Sequence, residues 1–387
     1  MPTTLFLQSE VQNPFKLYET MLRENPVYWD SSNGLWAIYS YAGCKKILSN
    51  PLAHIPATNA GNRDGLNEYA LLISGRLARL SNGVQHEMAK QTAQLLFGNM
   101  KSTITNNITE KLMAKGNEKD EIDWVNTICR KLPVIVVLKS FDFNEEDCDF
   151  ILSKIEPLTK IMLPNKTPEQ VAAINEISKE IYAITEKHLS AASFYKPLLN
   201  TISEKYKTEP EETTSLCVGN LIGLFIQSYD AGRGLLSNSL LQVLNNDPMR
   251  LNFANAGYLE KCIIETLRFD PPVHNTRRIA VDDITINNMQ IKKGQAILII
   301  LAAANRDPHH FNNPNVYNIN RANNAEHLTF GIGGHKCPAN YLSVRLATEA
   351  LAWLFGKYQT IELVEKDILY EPIVNVRLPK NISISLA

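Results

Sequence analysis

What the chain lacks narrows its class. Among its 387 residues no run approaches the roughly 18 uninterrupted apolar positions of a membrane span. Neither sign of charge dominates: Lys and Arg total 39, Asp and Glu total 40, so charge points to neither a nucleic-acid nor a membrane partner. Met1 to Glu10 carries no basic flank followed by an apolar run, so a secretion signal is not expected and the cytoplasm is the default location. There is no internal repeat, low-complexity tract or Gly/Ser linker, so one domain spanning 1–387 is expected. The six cysteines, Cys44, Cys129, Cys148, Cys217, Cys262 and Cys337, include no CxxC pair. A chain of this length without an export signal has little reason to form disulfides, and most of these thiols read as small buried hydrophobes.

What is present is a composition 44% hydrophobic and 20% charged, that of a globular protein with a large core. Asn13-Pro14 predicts a capped helix, and residues 27–39 predict a hairpin. Tyr41 to Leu48 reads as a short helix stopped near Asn50-Pro51, and 55–75 as a loop rich in Asn, Gly and Ala. From Gln85 to about Ser190 the pattern is helical, with breaks expected near Pro133, Pro157 and Pro164. Thr213 to about Asn246 predicts one helix of about 30 residues whose centre, Leu221 to Ser228, is apolar all round and therefore buried. Leu259 to Phe269 predicts a second helix, with strand-like segments at Ile284 to Ile286 and Ala296 to Leu301. Residues 302–334 read as loop, Tyr341 to Phe355 as a last long helix, and the remainder as strand-like pieces. The expected class is mainly α with small β-sheets.

The densest signal is Phe330-Gly331-Ile332-Gly333-Gly334-His335-Lys336-Cys337-Pro338-Ala339. Three glycines in four positions let the backbone take positive φ and approach a flat group. The cysteine then falls just before a helix, where amide donors and the helix N-terminus favour a thiolate. Read alone, the loop admits two meanings: a turn with a buried cysteine, or a mount presenting one sulfur to a haem iron. Zinc fits less well, because His335 and Cys337 have no second ligand pair nearby.

The spacing resembles the haem-binding signature of the cytochrome P450 superfamily, with Phe330, Gly333, Cys337 and Ala339 in its defining places; Ala339 is the less common choice there. Glu265-Thr266-Leu267-Arg268 is similar to the family's ExxR motif, a weak signal alone, since such i, i+3 pairs are usually solvated. The resemblance implies a buried triad with Arg321 that supports the core behind the haem. It also implies that His86, Lys90, Arg278 and His335 meet the haem propionates, which need charge-assisted donors when buried. Asn305-Arg306-Asp307-Pro308 resembles a further structural element, and these matches run in family order along essentially the whole chain. The fold implied is one large helical domain around a buried haem b ligated by Cys337.

The long helix departs from the family. There an acid followed by an alcohol helps deliver protons during oxygen activation. Here Asp230 falls at the acid, but Ala231 stands where threonine is expected, and Gly232 follows. Arg233 stands at i+3 from Asp230, either as a simple helix pair or as a binder of a substrate carboxylate, as in the fatty-acid peroxygenase branch, whose neighbouring proline is missing here.

The resemblance implies a monomeric monooxygenase acting on a small or mid-sized organic molecule, with secondary metabolism as its expected setting and electrons from a ferredoxin- or flavodoxin-type donor. Alternatives are a peroxide-using enzyme, a coupling or desaturation catalyst, and a non-enzymatic haem sensor. Substrate contacts are expected from about 55–80 and 155–195, from Val273 to Thr276 and from Asn375 to Leu378, and Lys336 is a candidate contact for an acidic donor.

Overall fold

The computed structural model describes residues 4–56, 65–103, 105–116, 121–163, 165–246 and 255–387. The elements run α1 (Pro14–Glu24), β1 (Val27–Asp30), β2 (Leu35–Ile38), α2 (Tyr41–Leu48), β3 (Ala53–His54), α3 (Glu68–Gly75), α4 (Gly83–Gly98) and α5 (Thr105–Gly116). They continue through β4 (Glu121–Asp123), α6 (Leu132–Ser140), α7 (Glu145–Thr159), α8 (Pro168–Ala191), α9 (Tyr195–Tyr206), α10 (Pro210–Asn246) and α11 (Ala256–Phe269). The last part carries β5 (Asn275–Ala280), β6 (Ile284–Ile286), β7 (Met289–Ile291), β8 (Ala296–Ile300), α12 (Asn340–Lys357), β9 (Ile361–Leu363) and β10 (Ser383–Leu386). Among the described residues no helix is long and apolar enough to cross a membrane.

Local chemistry explains several helix starts. Asn13 accepts from the Phe15 amide at 3.1 Å, with Pro14 at the first helical position, where its missing N–H costs nothing. Ser40 caps α2, and Thr167 with Gln170 forms a reciprocal capping box on α8.

Four expectations change. The stretch read as a loop at 55–75 contains α3, because Asn67 accepts from the Ala70 amide at 2.9 Å and Glu-Tyr-Ala-Leu-Leu-Ile follows; 57–64 lie outside the described residues. The helical stretch from Gln85 is interrupted by β4, which forms by pairing with β10 far along the chain, Ile122 opposite Ile384. The breaks expected near Pro133 and Pro157 are present, since residues 130–131 form a turn before α6 opens at Leu132 and α7 ends at Thr159, while Pro164 is outside the described residues. Finally, α10 has 37 residues, about 55 Å at the usual rise, and Leu301 starts a helical turn instead of ending β8.

The chain divides into two compact units. One comprises 55–104 and 133–229. It is helical, and its core gathers Leu96, Ile151, Ile174, Ile181, Ile222 and Phe225, so the apolar centre of α10 is buried as its sequence predicts. The other comprises 1–54, 105–132 and 230–387. Its main sheet has the order β1-β2-β8-β5-β3, with β2 and β8 parallel. Alternation along β8 sends Leu298 and Ile300 into a cluster with Tyr18 and Met21 of α1. Ile297 and Ile299 join Cys44 and Ile47 of α2 in a second cluster. Burial on both faces explains why β8 is an unbroken apolar run.

In this unit α10 passes close to the segment that follows α11. A Cβ on Gly234 would lie 2.5 Å from Leu378 Cδ2 and 2.6 Å from Pro272 Cβ. Because the proline ring cannot rotate away, Gly234→Ala should cost about 1–3 kcal/mol, read as a lower thermal midpoint. Gly356→Ala in α12, where the added Cβ meets nothing within 4 Å, should not lower it.

Candidate active site

The cysteine loop is held by its own backbone. The Cys337 amide donates to the Phe330 carbonyl at 2.8 Å, and the Gly331 amide donates to Leu328 at 2.8 Å. Gly331 and Gly333 take φ of +65° and +69°, so the loop needs glycine at both; Gly334, expected to share this role, does not. Gly333 also runs close to α2, where a Cβ would lie 3.1 Å from the Leu48 carbonyl. Phe330 sits half-buried with its ring 5.5 Å from His327, and α12 begins directly after Ala339.

Behind the loop stands a fully buried ion pair. Arg268 Nε and Nη2 donate to the two Glu265 oxygens at 3.0 and 2.7 Å, and both side chains have 0% exposure. The remaining guanidinium hydrogens go to the carbonyls of Asn305, Pro314 and Val316. Glu265 Oε1 also receives the Asn318 amide at 2.9 Å and Arg321 Nε at 3.5 Å, completing the expected triad. Asn305 then carries the brace forward: its amide donates to Thr329 Oγ1 at 2.8 Å, and its oxygen receives the Leu328 amide at 2.7 Å. Thr329 Oγ1 donates to the Leu267 carbonyl of α11. The helix carrying Glu265 and Arg268 is thereby tied to the residue that precedes Phe330.

The four propionate candidates divide between the units. His86 and Lys90 lie one turn apart on α4, both half-buried, with His86 Nδ1 2.9 Å from the Ala78 carbonyl. Arg278 is buried on β5, its guanidinium donating to the Arg277 carbonyl at 2.7 Å and Thr276 Oγ1 at 3.3 Å, and His335 is half-buried in the cysteine loop.

On the distal helix Ala231 is half-buried. Arg233 makes the helix pair: Nη2 lies 3.3 Å from Asp230 Oδ1. Sequence reasoning missed the second acid, Glu371, whose Oε1 lies 3.5 Å from Arg233 Nη1 and also accepts from Arg130 Nη2 at 2.8 Å. No local signal marks Glu371 or Arg130, because the contact spans 241 positions of sequence. Arg233 thus sits, with its side chain 4% exposed, between two carboxylates of the chain itself.

The sequence model of the cytochrome P450 family matches residues 209–385, which include the ion pair and the cysteine loop. This chain belongs to the cytochrome P450 superfamily. It is 26% identical to cytochrome P450 119 of Sulfurisphaera tokodaii over 92% of this chain and 96% of that protein. It is 34% identical to the biotin biosynthesis cytochrome P450 of Bacillus subtilis over 45% of this chain and 43% of that protein. The solved structure of P450BioI, in complex with an acyl carrier protein ligated to hexadec-9Z-enoic acid, superposes with a TM-score of 0.83 at 22% identity, covering 98% of this chain and 100% of that one. CalO2 superposes with a TM-score of 0.86 at 17% identity, covering 100% and 99%. This P450 has the helix-rich fold of its superfamily and is an oxidoreductase, a haem-thiolate monooxygenase of small molecules. Its cofactor is haem b.

The donor set of this P450 fits that group. Cys337 is half-exposed on the glycine loop, whereas the other five cysteines are buried. Burial pushes the Cys148 thiol up to about 11 and Cys217 up to about 12, and raises Cys44 and Cys129 further, so these four stay protonated at neutral pH. The buried Arg278 cation suits a carboxylate. When bound, haem supplies one-electron chemistry and oxygen activation, which side chains do not provide.

His327 gives the loop an acid-sensitive anchor. Loss of solvation, then the Arg268 and Lys336 charges, pushes its imidazole down to about 4 from 6.5. Above pH 6.5 the folded and unfolded chains both carry it neutral. Between 6.5 and about 4 only the unfolded chain takes up the proton, so stability falls as pH falls. His327→Gln should therefore flatten the loss of melting temperature on acidification from pH 7 to pH 4.5; an unchanged slope would assign that loss to other groups.

Proposed function

We propose that Cys337 is the axial thiolate of this P450, carried on a loop shaped by Phe330, Gly331 and Ala339. In the same reading His86, Lys90, Arg278 and His335 hold the propionates, and the whole chain works as one P450 domain. The observation that carries it is the half-exposed cysteine on a loop braced through Thr329 and Asn305 to Glu265 and Arg268. Asp230 is the acid that handles protons on the distal helix, Arg233 holds it, and Ala231 leaves the space of a missing side chain where water can serve in place of an alcohol.

The substrate is a small or mid-sized intermediate of a biosynthetic pathway. Support comes from relatives that carry such names, the biotin biosynthesis P450 and the pulcherriminic acid synthase of Bacillus subtilis, the latter 24% identical over 84% of this chain. Electrons come from a ferredoxin- or flavodoxin-type protein. A cavity of about 530 Å³ beside the cysteine loop is lined by Lys45 and Lys336 but also by Glu260 and Glu326, so its charge is balanced and Lys336 on the cysteine loop is the contact proposed for an acidic donor. Ala231 favours peroxide use as the second reading, since peroxide brings its own protons and electrons. The engagement of Arg233 by Asp230 and Glu371 weighs against a peroxygenase that grips a substrate carboxylate.

The test starts from a ligand screen for the spin-state change caused by substrate entry. The best ligand is then turned over either with NADPH, reductase and ferredoxin or flavodoxin, or with hydrogen peroxide alone. Product should form with the donor system and depend on it. Turnover with peroxide and none with any donor would replace this reading with the second.

A further inference from the structure

Arg233 is the middle of a longer line of charges. Asp230, Arg233, Glu371 and Arg130 alternate in sign, and they come from α10, the segment before α6 and the C-terminal turn. Side-chain exposure is 4% at Arg233, 19% at Glu371, 22% at Arg130 and 26% at Asp230. The two contacts of Arg233, at 3.3 and 3.5 Å, are longer than a tight charge-assisted pair, whereas the Arg130–Glu371 contact at 2.8 Å is of full strength. One guanidinium is thus shared between two carboxylates.

Glu371 cannot follow Arg233 freely. Its amide donates to Leu378 at 2.9 Å, its carbonyl accepts from Ile373 at 2.8 Å, and Tyr370 pairs with Pro379 beside it. The same turn is stitched to the segment after α11, where the Arg377 amide donates to the Pro272 carbonyl at 2.9 Å and Val376 pairs with Val273. On the helix side Arg233 is hemmed in by burial. Cys129, whose thiol feels the Arg233 charge, is kept a thiol by burial, and Asp123, which also acts on Cys129, is engaged by the amides of Val125 and Asn126.

We infer that Glu371 and Arg130 are positioning residues for Asp230: Arg130 holds Glu371, Glu371 draws on Arg233, and the share of Arg233 left to Asp230 sets how firmly the distal acid is held. This rests on the reading of Asp230 as the proton-handling acid. It has a signature that simple structural support lacks, because the two neighbours act in opposite senses. Without the charge on Glu371, Arg233 turns wholly to Asp230 and favours its carboxylate form. Without the charge on Arg130, Glu371 takes more of Arg233 and the carboxylate form of Asp230 is disfavoured.

The experiment compares wild-type holoenzyme with Asp230→Asn, Glu371→Gln and Arg130→Gln across pH. One readout is the C–O stretching frequency of the reduced carbon monoxide complex, which senses distal polarity without turnover. The other is product formed per electron pair. Asp230→Asn should abolish the acid midpoint, Glu371→Gln should lower it and Arg130→Gln should raise it, each by about one pH unit. The Glu371→Gln/Arg130→Gln double variant should follow Glu371→Gln, because Arg130 acts through Glu371. If a neutral variant fails to hold haem, Glu371→Asp should give a smaller shift in the same sense as Glu371→Gln. A midpoint that survives Asp230→Asn overturns both the reading of Asp230 and this inference. A midpoint lost in Asp230→Asn, but moved in one common direction or not at all by the two neighbours, overturns the inference and leaves the reading standing.

Discussion

Glu265 and Arg268 place two charges where no solvent reaches, and such a pair persists only if its hydrogen-bonding positions are filled. Here they are filled from several directions. The guanidinium reaches Glu265 and the carbonyls of Asn305, Pro314 and Val316, and the carboxylate receives Asn318 and Arg321. Loss of either partner strands the other, at a cost of about 3–5 kcal/mol. The loops that supply these partners are the ones that lead into Thr329 and Phe330, so satisfaction of one buried arginine also fixes where the cysteine loop begins.

The two sides of the long helix's chemistry contrast in kind. The cysteine loop is rigid by construction, with two positive-φ glycines, a backbone bond from Cys337 to Phe330 and a polar brace behind it. The distal segment from Asp230 to Arg233 depends on side-chain charges instead, in an ion-pair line that passes through Glu371 of the C-terminal turn and ends on Arg130. A backbone mount tolerates little variation; a charge network can be retuned by a single substitution. That difference lets a superfamily keep one cofactor while its reactions diverge.

Legibility from sequence followed the range of the interaction. Asn13-Pro14 and the hairpin at 27–39 are local signals that produced the expected geometry, and two of the three glycines between Phe330 and Cys337 take the positive φ expected of them. Glu265 and Arg268 were readable as a pair from their i, i+3 spacing, although their complete burial was implied only by the family pattern. What escaped was set by distant chain. β4 exists because β10 pairs with it, and Glu371 meets Arg233 and Arg130 across a fold that no short window encodes. The helix α3 was the exception, a local cap at Asn67 hidden by the composition of the residues before it.

In the proposed site Cys337 alone among the six cysteines provides the sulfur for the haem iron. The direct test is the carbon monoxide difference spectrum of the reduced, haem-loaded protein, wild type beside Cys337→Ser. The wild type should show the red-shifted Soret band of a thiolate-ligated haem, and Cys337→Ser should lose it. A wild-type protein that takes up no haem, or a Cys337→Ser variant that keeps the thiolate band, would contradict it.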